Sequence, residues 1–416
     1  MGGERPLLIF VSDIHLTDRL HGNAVSKADQ FARFWQRIAV ARGKRPAELC
    51  IVGDLFDLVR SPSWFEGRNR PYHGASTNGV VRNVEKIVEE TIAREAGFFT
   101  AIRERVLSGE LVLHYVVGNH DRLLMTAPAA RLMISRAMTG GDGLELHKEL
   151  VFPEHGVLAY HGNVGDPINA SPDGEATIGD VIGSELILKY PRKLRELVGA
   201  DHPGVDQIDD IDDVRPVYAV PAWVRQQSIA RRELLRPMGQ VWGEVVEEFL
   251  DNDFVKRWLG KQHKMFSLDL GKKLRLLLEL SRNKLIAHGS DERLTQLYRF
   301  FQQSFDGKMS GLAATELQRR RGLRFVVNGH SHFPSMQPLG TIDGKPAVYF
   351  NTGTWRAVHQ IGHDLRGRPS FLAYDAMSYL VFFPSDDPLH RDYEWWTGAL
   401  VANASHAHGD APNPGG

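Results

Sequence analysis

Residues 324–334 read RFVVNGHSHFP, a strand-favouring run that ends at Gly329 and places two histidines, His330 and His332, on one short corner. A lone histidine is more often a hydrogen-bonded structural residue than a ligand. Two at i and i+2 past a strand end differ, because both imidazoles can turn to one point. Working outward from this corner, the same arrangement recurs. The runs LLIFVSD (7–13), LCIVGD (49–54), LVLHYVVGNHD (111–121) and VLAYHGN (157–163) each stop at turn residues and then deliver Asp, Asn or His. They contribute Asp13 and His15, Asp54 and Asp57, Asn119, His120 and Asp121, and His161. Oxygen and imidazole donors from five segments point to a site for two metal ions of the Mn, Fe, Zn or Ni kind, and the lack of cysteine donors argues against iron–sulfur or structural zinc.

Helical patterns over 28–41 and 79–107 separate the first three runs, so strand–helix alternation and an α/β layered core are expected. The later runs, PAVYFNTG (346–353), SFLAYD and YLVFFP, follow one another closely and read as antiparallel strands. Between about 178 and 320 the texture becomes long and amphipathic, with hardly any strand-like run. That stretch reads as a helical insertion over one end of the sheet. Its acidic segment DHPGVDQIDDIDDVRP (201–216) reads as a loop.

The set DIH, GDLFD, GNHD, YHGN and GHSH resembles, in content and order, the calcineurin-like metallophosphoesterase superfamily. The match organises residues 1–165 and 321–385 as a core and leaves 178–320 outside as a cap. The resemblance implies a four-layer α-β-β-α sandwich with a large helical cap insertion. It implies two divalent ions, Mn foremost, and hydrolysis of a phosphodiester or pyrophosphate bond by a metal-bridging hydroxide. Asp13, His15, Asp54 and His332 would hold one ion and Asp54, Asn119, His161 and His330 the other, with Asp54 shared. His120 is implied to contact the phosphate with Asn119 and to protonate the leaving oxygen. Asp121 is expected to orient His120, the alternative being a turn residue that caps the following helix. Asp57 is read in the same two ways.

The cap position and GDLFDL also resemble enzymes that cleave UDP-2,3-diacylglucosamine, which carry Arg where His120 stands and have a much shorter lid. A small-molecule or lipid-linked phosphodiester or pyrophosphate is therefore the expected substrate. His73, Trp355 and Arg356 are candidate rim residues, Trp355 having a packed core residue as its plain alternative. A basic stretch, 256–284, includes Lys256, Arg257, Arg275 and Arg282 and suits an anionic lipid, nucleic acid or simply solvent. A metal-dependent single-strand nuclease and a catalytically silent scaffold are the alternatives to a small-molecule phosphoesterase.

Composition narrows the field only broadly. The 416 residues are 42% hydrophobic and 24% charged with a formal net charge of −1, so no global charge excess selects nucleic acid or membrane. The single cysteine excludes an internal disulfide. The apolar run Leu7–Val11 is too short for a signal-peptide core or a membrane span, and a cytoplasmic location is expected. No phosphate-loop or H-E-x-x-H motif is present. The small, polar end, 400–416, reads as a disordered tail.

Overall fold

The computed structural model describes residues 6–18, 26–171, 174–202, 204–262, 268–284, 308–365 and 369–400. The first strand sets the layering. In β1 (Leu7–Val11) every residue is buried, Leu7, Ile9 and Val11 in one apolar cluster and Leu8 and Phe10 in another. This is period-two alternation with a covering layer on each face. β1 pairs in parallel with β2 (Ala47–Val52), β2 with β3 (Leu111–Val116), and β3 with β4 (Leu146–His147). On its other side β1 meets β12 (Pro369–Phe382) in antiparallel register, Leu8 opposite Phe382. β11 (Ala357–His363), β13 (Tyr393–Leu400) and the short β7 (Val214–Arg215) complete an eight-stranded mixed sheet. A second mixed sheet orders β5 (Glu149–Phe152), β6 (Val157–Tyr160), β8 (Phe325–Asn328), β10 (Lys345–Asn351) and β9 (Ser335–Ile342) as β5-β6-β8-β10-β9.

Leu8, Phe10, Val52 and Val116 of the first sheet pack with Val157, Phe325, Val327 and Phe350 of the second. Each such side chain contributes about 1.5–3 kcal/mol on burial. The opposite face of the first sheet is covered by α1 (Lys27–Arg42), α2 (Asn78–Arg94), α3 (Ala96–Leu107) and α4 (Pro128–Thr139). α1 shows why these segments are helical: Ser26 caps it by accepting from the amide of Asp29, and Phe31, Phe34, Trp35 and Ile38 recur on one face. The far face of the second sheet receives the helix Lys308–Arg319 through Ala313 and Leu317.

The cap has an apolar cluster of its own, drawn from residues 168–278 and including Tyr190, Trp223, Trp242 and Phe249. Its helices include α5 (Ile178–Val181), α6 (Lys189–Val198), α7 (Val220–Ala230), α8 (Leu235–Asp251), α9 (Asp253–Gln262) and α10 (Leu268–Lys284). Between α5 and α6, Ile182–Leu188 forms a π-helix with all seven residues buried, a widened turn frequent at functional sites. Among the described residues no helix is long and apolar enough to cross a membrane.

Several expectations change. Helix Lys308–Arg319 packs on a sheet, so the cap's own core ends before 320, and β13 carries the first sheet past 385 to Leu400. SFLAYD and YLVFFP are one strand: no Gly or Pro interrupts them, and β12 pairs with β11 along its first half and with β13 from Asp375 onward. The pattern over 79–107 is two helices, broken at Glu95 where φ is −95° and ψ 27°. The acidic segment is a 3-10 turn, Asp206–Asp213, leading into β7. Residues 401–416, and 263–267 of the basic stretch 256–284, lie outside the described residues.

Candidate metal centre

The parallel strands β1, β2 and β3 end at one edge of the first sheet, and β6 and β8 end beside them. The donor residues occupy the turns that follow. Asp13, His15, Asp54, His330 and His332 all adopt positive φ, between 51° and 73°, a region that side chains other than glycine seldom enter. Each such residue costs about 1–3 kcal/mol and persists only where the surroundings hold it. Here the loops hold one another: the amide of Asp13 donates to the carbonyl of Gly53 at 3.1 Å and that of His15 to Asp54 at 3.0 Å. Gly53 itself has φ +83°, and a Cβ there would overlap the imidazole of His161.

Both carboxylates divide their oxygens in the same way. Oδ2 of Asp13 accepts from the amide of His330 at 2.9 Å, while buried Oδ1 has no hydrogen-bond partner and faces Nε2 of His332 at 3.4 Å and of His15 at 3.7 Å. Oδ1 of Asp54 accepts from the amide of His120 at 2.8 Å, and Oδ2 faces Nε2 of His161 at 3.1 Å and of His15 at 3.7 Å. Oδ1 of Asn119 lies 3.1 Å from Nε2 of His161 and 2.9 Å from Nδ1 of His330. Three groups of donors converge among the described residues, Asp13–His15–His332, Asp54–His161–His330 and His15–Asp57–His120; Asp54 also reaches His15, which links the first two.

An orphaned buried carboxylate oxygen facing two imidazole nitrogens suits a cation, and two of the ring nitrogens turned away from the centre agree. Nδ1 of His161 meets the carbonyl of Val52 at 2.8 Å and Nε2 of His330 meets Asp166 at 2.9 Å, so an acceptor stands ready to take the ring proton and leave a lone pair inward. Nδ1 of His15 has a donor beside it, Nη2 of Arg60 at 3.3 Å, as well as Asp57 at 3.4 Å. Nδ1 of His332 accepts from Nε of Arg215 at 3.1 Å.

Electrostatics follow from burial and contact. Burial lowers His15 and lowers His332 well below the ordinary histidine value, the latter with help from Arg215. Burial alone would lower His161, but the charge and hydrogen bond of Asp54, with Asp13 and the Val52 carbonyl, together outweigh it and lift the imidazole to about 10. For Asp54 burial pulls upward and is outweighed by His161 and His120, leaving the carboxyl far below its usual range. These directions leave Asp54 anionic and the proton on His161, and a cation bound there would displace that proton.

His120 is half-buried at the edge of a cavity of about 790 Å3, which Asp54, Arg60, Arg215, His330 and His332 also line. The residue behind it is Asp57, whose Oδ1 lies 2.9 Å from His120 Nδ1. Asp121, the expected orienting residue, instead accepts from the Tyr115 hydroxyl at 2.6 Å, the Leu55 amide at 3.0 Å and the Gly118 amide at 2.5 Å. It braces the turn carrying Asn119. Trp355 is no rim residue: it is 1% exposed, packs on Phe34 and donates from Nε1 to the carbonyl of Ser378. Arg356 is buried and turned to Asp213 and Asp212. His73 is exposed, accepts from the amide of Arg70, and does not line the cavity.

Sequence reasoning missed a buried ionic cluster that joins cap and core. Asp57 and Arg60 pair at 2.7 Å, Arg60 also pairs with Asp212, and Arg356 takes Asp212 and Asp213. The available signal was the run DDIDDVR, whose charge density is unusual for a loop. Asp166, five residues past His161, was also missed. In the basic cap stretch Lys256, Arg275 and Arg282 pair with Asp251, Glu279 and Glu247, which offsets much of its charge. No family model matches the chain, and no curated protein matches it.

Proposed function

We propose that the protein is a dinuclear metal-dependent phosphoesterase of the calcineurin-like metallophosphoesterase superfamily, cleaving a phosphodiester or pyrophosphate bond. The observation that carries this reading is the pair of donor groups linked through Asp54, with Asp13 Oδ1 buried and unpartnered. The layering supports the four-layer α-β-β-α sandwich: α1–α4, the first sheet, the second sheet, then helix Lys308–Arg319. Asp13, His15, Asp54 and His332 would hold one ion and Asp54, Asn119, His161 and His330 the other. Mn suits this donor set, as do Fe, Zn and Ni. Two such ions, when bound, polarise a phosphoryl oxygen and activate water at neutral pH.

The chain's own residues do the rest. His120, at the cavity edge, donates a proton to the leaving oxygen from its second ring nitrogen while Nδ1 stays on Asp57. For Asp57 burial pulls upward, but Arg60 and His120 outweigh it and keep the carboxyl well below its usual range, so it remains anionic behind the imidazole. A cavity of about 790 Å3, within the usual size for a small-molecule site, suits an organic phosphate or a lipid-linked head group. The test is hydrolysis of bis-p-nitrophenyl phosphate and p-nitrophenyl phosphate by metal-stripped protein, with and without Mn. Mn-dependent turnover favouring the diester is expected. No turnover of either ester by protein shown to bind Mn would sink the assignment.

A further inference from the structure

Arg215 is a buried cation without an acid in contact among the described residues. It is 8% exposed, and each of its hydrogen bonds goes to an uncharged acceptor: Nη1 to the carbonyls of Asp212 at 2.7 Å and Val214 at 2.9 Å, and Nε to Nδ1 of His332 at 3.1 Å. Its neighbours differ, for Arg60 faces Asp57 and Asp212 while Arg356 faces Asp212 and Asp213. Asp212 and Asp213 favour its charge from a distance, but they are engaged by Arg60 and Arg356, and burial together with those two guanidiniums outweighs them and holds Arg215 below the ordinary arginine range. Arg215 lines the cavity beside His332 and Arg60, where an anionic ligand would add the direct counter-charge that no carboxylate among the described residues makes with it.

The chemistry of His332 points the same way. A ring that coordinates through Nε2 carries its proton on Nδ1, and a protonated Nδ1 cannot accept from Arg215. Nε of the guanidinium is then released, while the two backbone carbonyls still hold Nη1. Pairing of β7 with β11, Val214 opposite His359 and Arg215 opposite Gln360, fixes the backbone that presents it.

We propose, on the phosphoesterase reading above, that Arg215 is an oxyanion-binding residue delivered by the cap, its guanidinium taking the non-bridging oxygens of the phosphoryl group held at the centre. The planar fork matches two oxygens of one phosphate. The cap then forms part of the reaction site.

The probe is inorganic phosphate, titrated calorimetrically into full-length Mn-loaded wild type, Arg215→Met and Arg215→Lys, with Mn affinity measured separately on each. Arg215→Met is expected to bind Mn as wild type does and to bind phosphate about 10- to 100-fold more weakly. Arg215→Lys, which keeps the charge if the Met variant fails to fold, is expected to fall between the two. Phosphate affinity unchanged in either variant overturns the proposal, as does wild type that binds Mn but no phosphate. Loss of Mn affinity together with phosphate affinity also overturns it, since Arg215 would then only position His332. Wild type that binds Mn and phosphate yet hydrolyses no ester refutes the phosphoesterase reading while the binding comparison still decides this one.

Discussion

Replacing Asp57 with asparagine removes one negative charge from among two histidines and two arginines, Arg60 and, at 3.8 Å, Arg356, without changing the shape of the side chain. Asp57 lies 2.9 Å from His120 Nδ1, 3.4 Å from His15 Nδ1 and 2.7 Å from Arg60 Nη2, and is 1% exposed. Removing one partner of a buried ion pair costs 3–5 kcal/mol, and because Arg60 keeps Asp212 the lower end, about 3 kcal/mol, is expected in chemical denaturation. The kinetic effect is more specific. An amide neither fixes the tautomer of the His120 ring nor balances its positive charge, so the positioned proton donor is lost, which is worth ~10²–10⁴ in rate where the leaving group needs a proton. p-Nitrophenolate leaves without one, so turnover of bis-p-nitrophenyl phosphate should fall little, whereas diesters with alkoxide leaving groups should lose the full factor. The assay is steady-state kinetics over a series of leaving groups at fixed Mn. Asp121→Asn, which touches Tyr115 and two backbone amides instead, should lower stability without changing the leaving-group dependence. If Asp57→Asn kept wild-type rates on alkyl diesters, or Asp121→Asn alone steepened the dependence, the assignment of Asp57 to His120 would be wrong.

Asp166 holds Nε2 of His330 at 2.9 Å, and Asp166→Ala should weaken Mn binding by about 10- to 100-fold in calorimetric titration; affinity within twofold of wild type would remove that role. Asp210 gives a pH-dependent test away from the centre. Burial, reinforced by Asp213 and Asp209, raises its carboxyl to about 7 against the opposing charge of Arg231, with His359 Nε2 at 3.5 Å. Between about pH 4 and 7 the folded chain holds a proton that the unfolded chain releases, so this group removes stability as pH rises through that window. With a third of the side chain in solvent (33%), Asp210→Asn should gain about 1–2 kcal/mol at pH 8 and almost nothing at pH 4, and an equal effect at both would refute the account.

How far the sequence could be read depended on whether the signal was local. Strands β1, β2, β6 and β8 announce themselves because nearly every residue is buried, and β3 and β10 because each runs into a buried apolar end; each ends in turn residues, and the donors past β1, β2, β3, β6 and β8 stand in short contiguous motifs. α1 is equally plain, since its cap and its apolar stripe lie within one window. Asp57 and Asp121 could not be told apart in sequence, because each follows its ligand by two or three residues and only the course of the turn decides which one faces His120. Arg215 lies 117 residues from His332, and Asp212 lies 152 from Arg60. No pattern of spacing links such partners; only the insertion of β7 beside β11 brings them together.

The two imidazoles that stand 3.1 Å apart, His15 and His332, are separated by 317 residues of chain. At ordinary synthesis rates that interval takes roughly 15–60 s, during which the early strands have emerged and their partner has not. β1 spends it with one edge open, since the strand that closes it, β12, is made almost last. Asp13, His15, Asp54 and Asn119 wait likewise for donors still in the ribosome. Closure of the centre is thus a long-range event of high contact order, slow beside the formation of α1–α4. A cation would meet complete donor sets only at the end of folding, since before the corner carrying His330 and His332 docks each set would lack its last histidine.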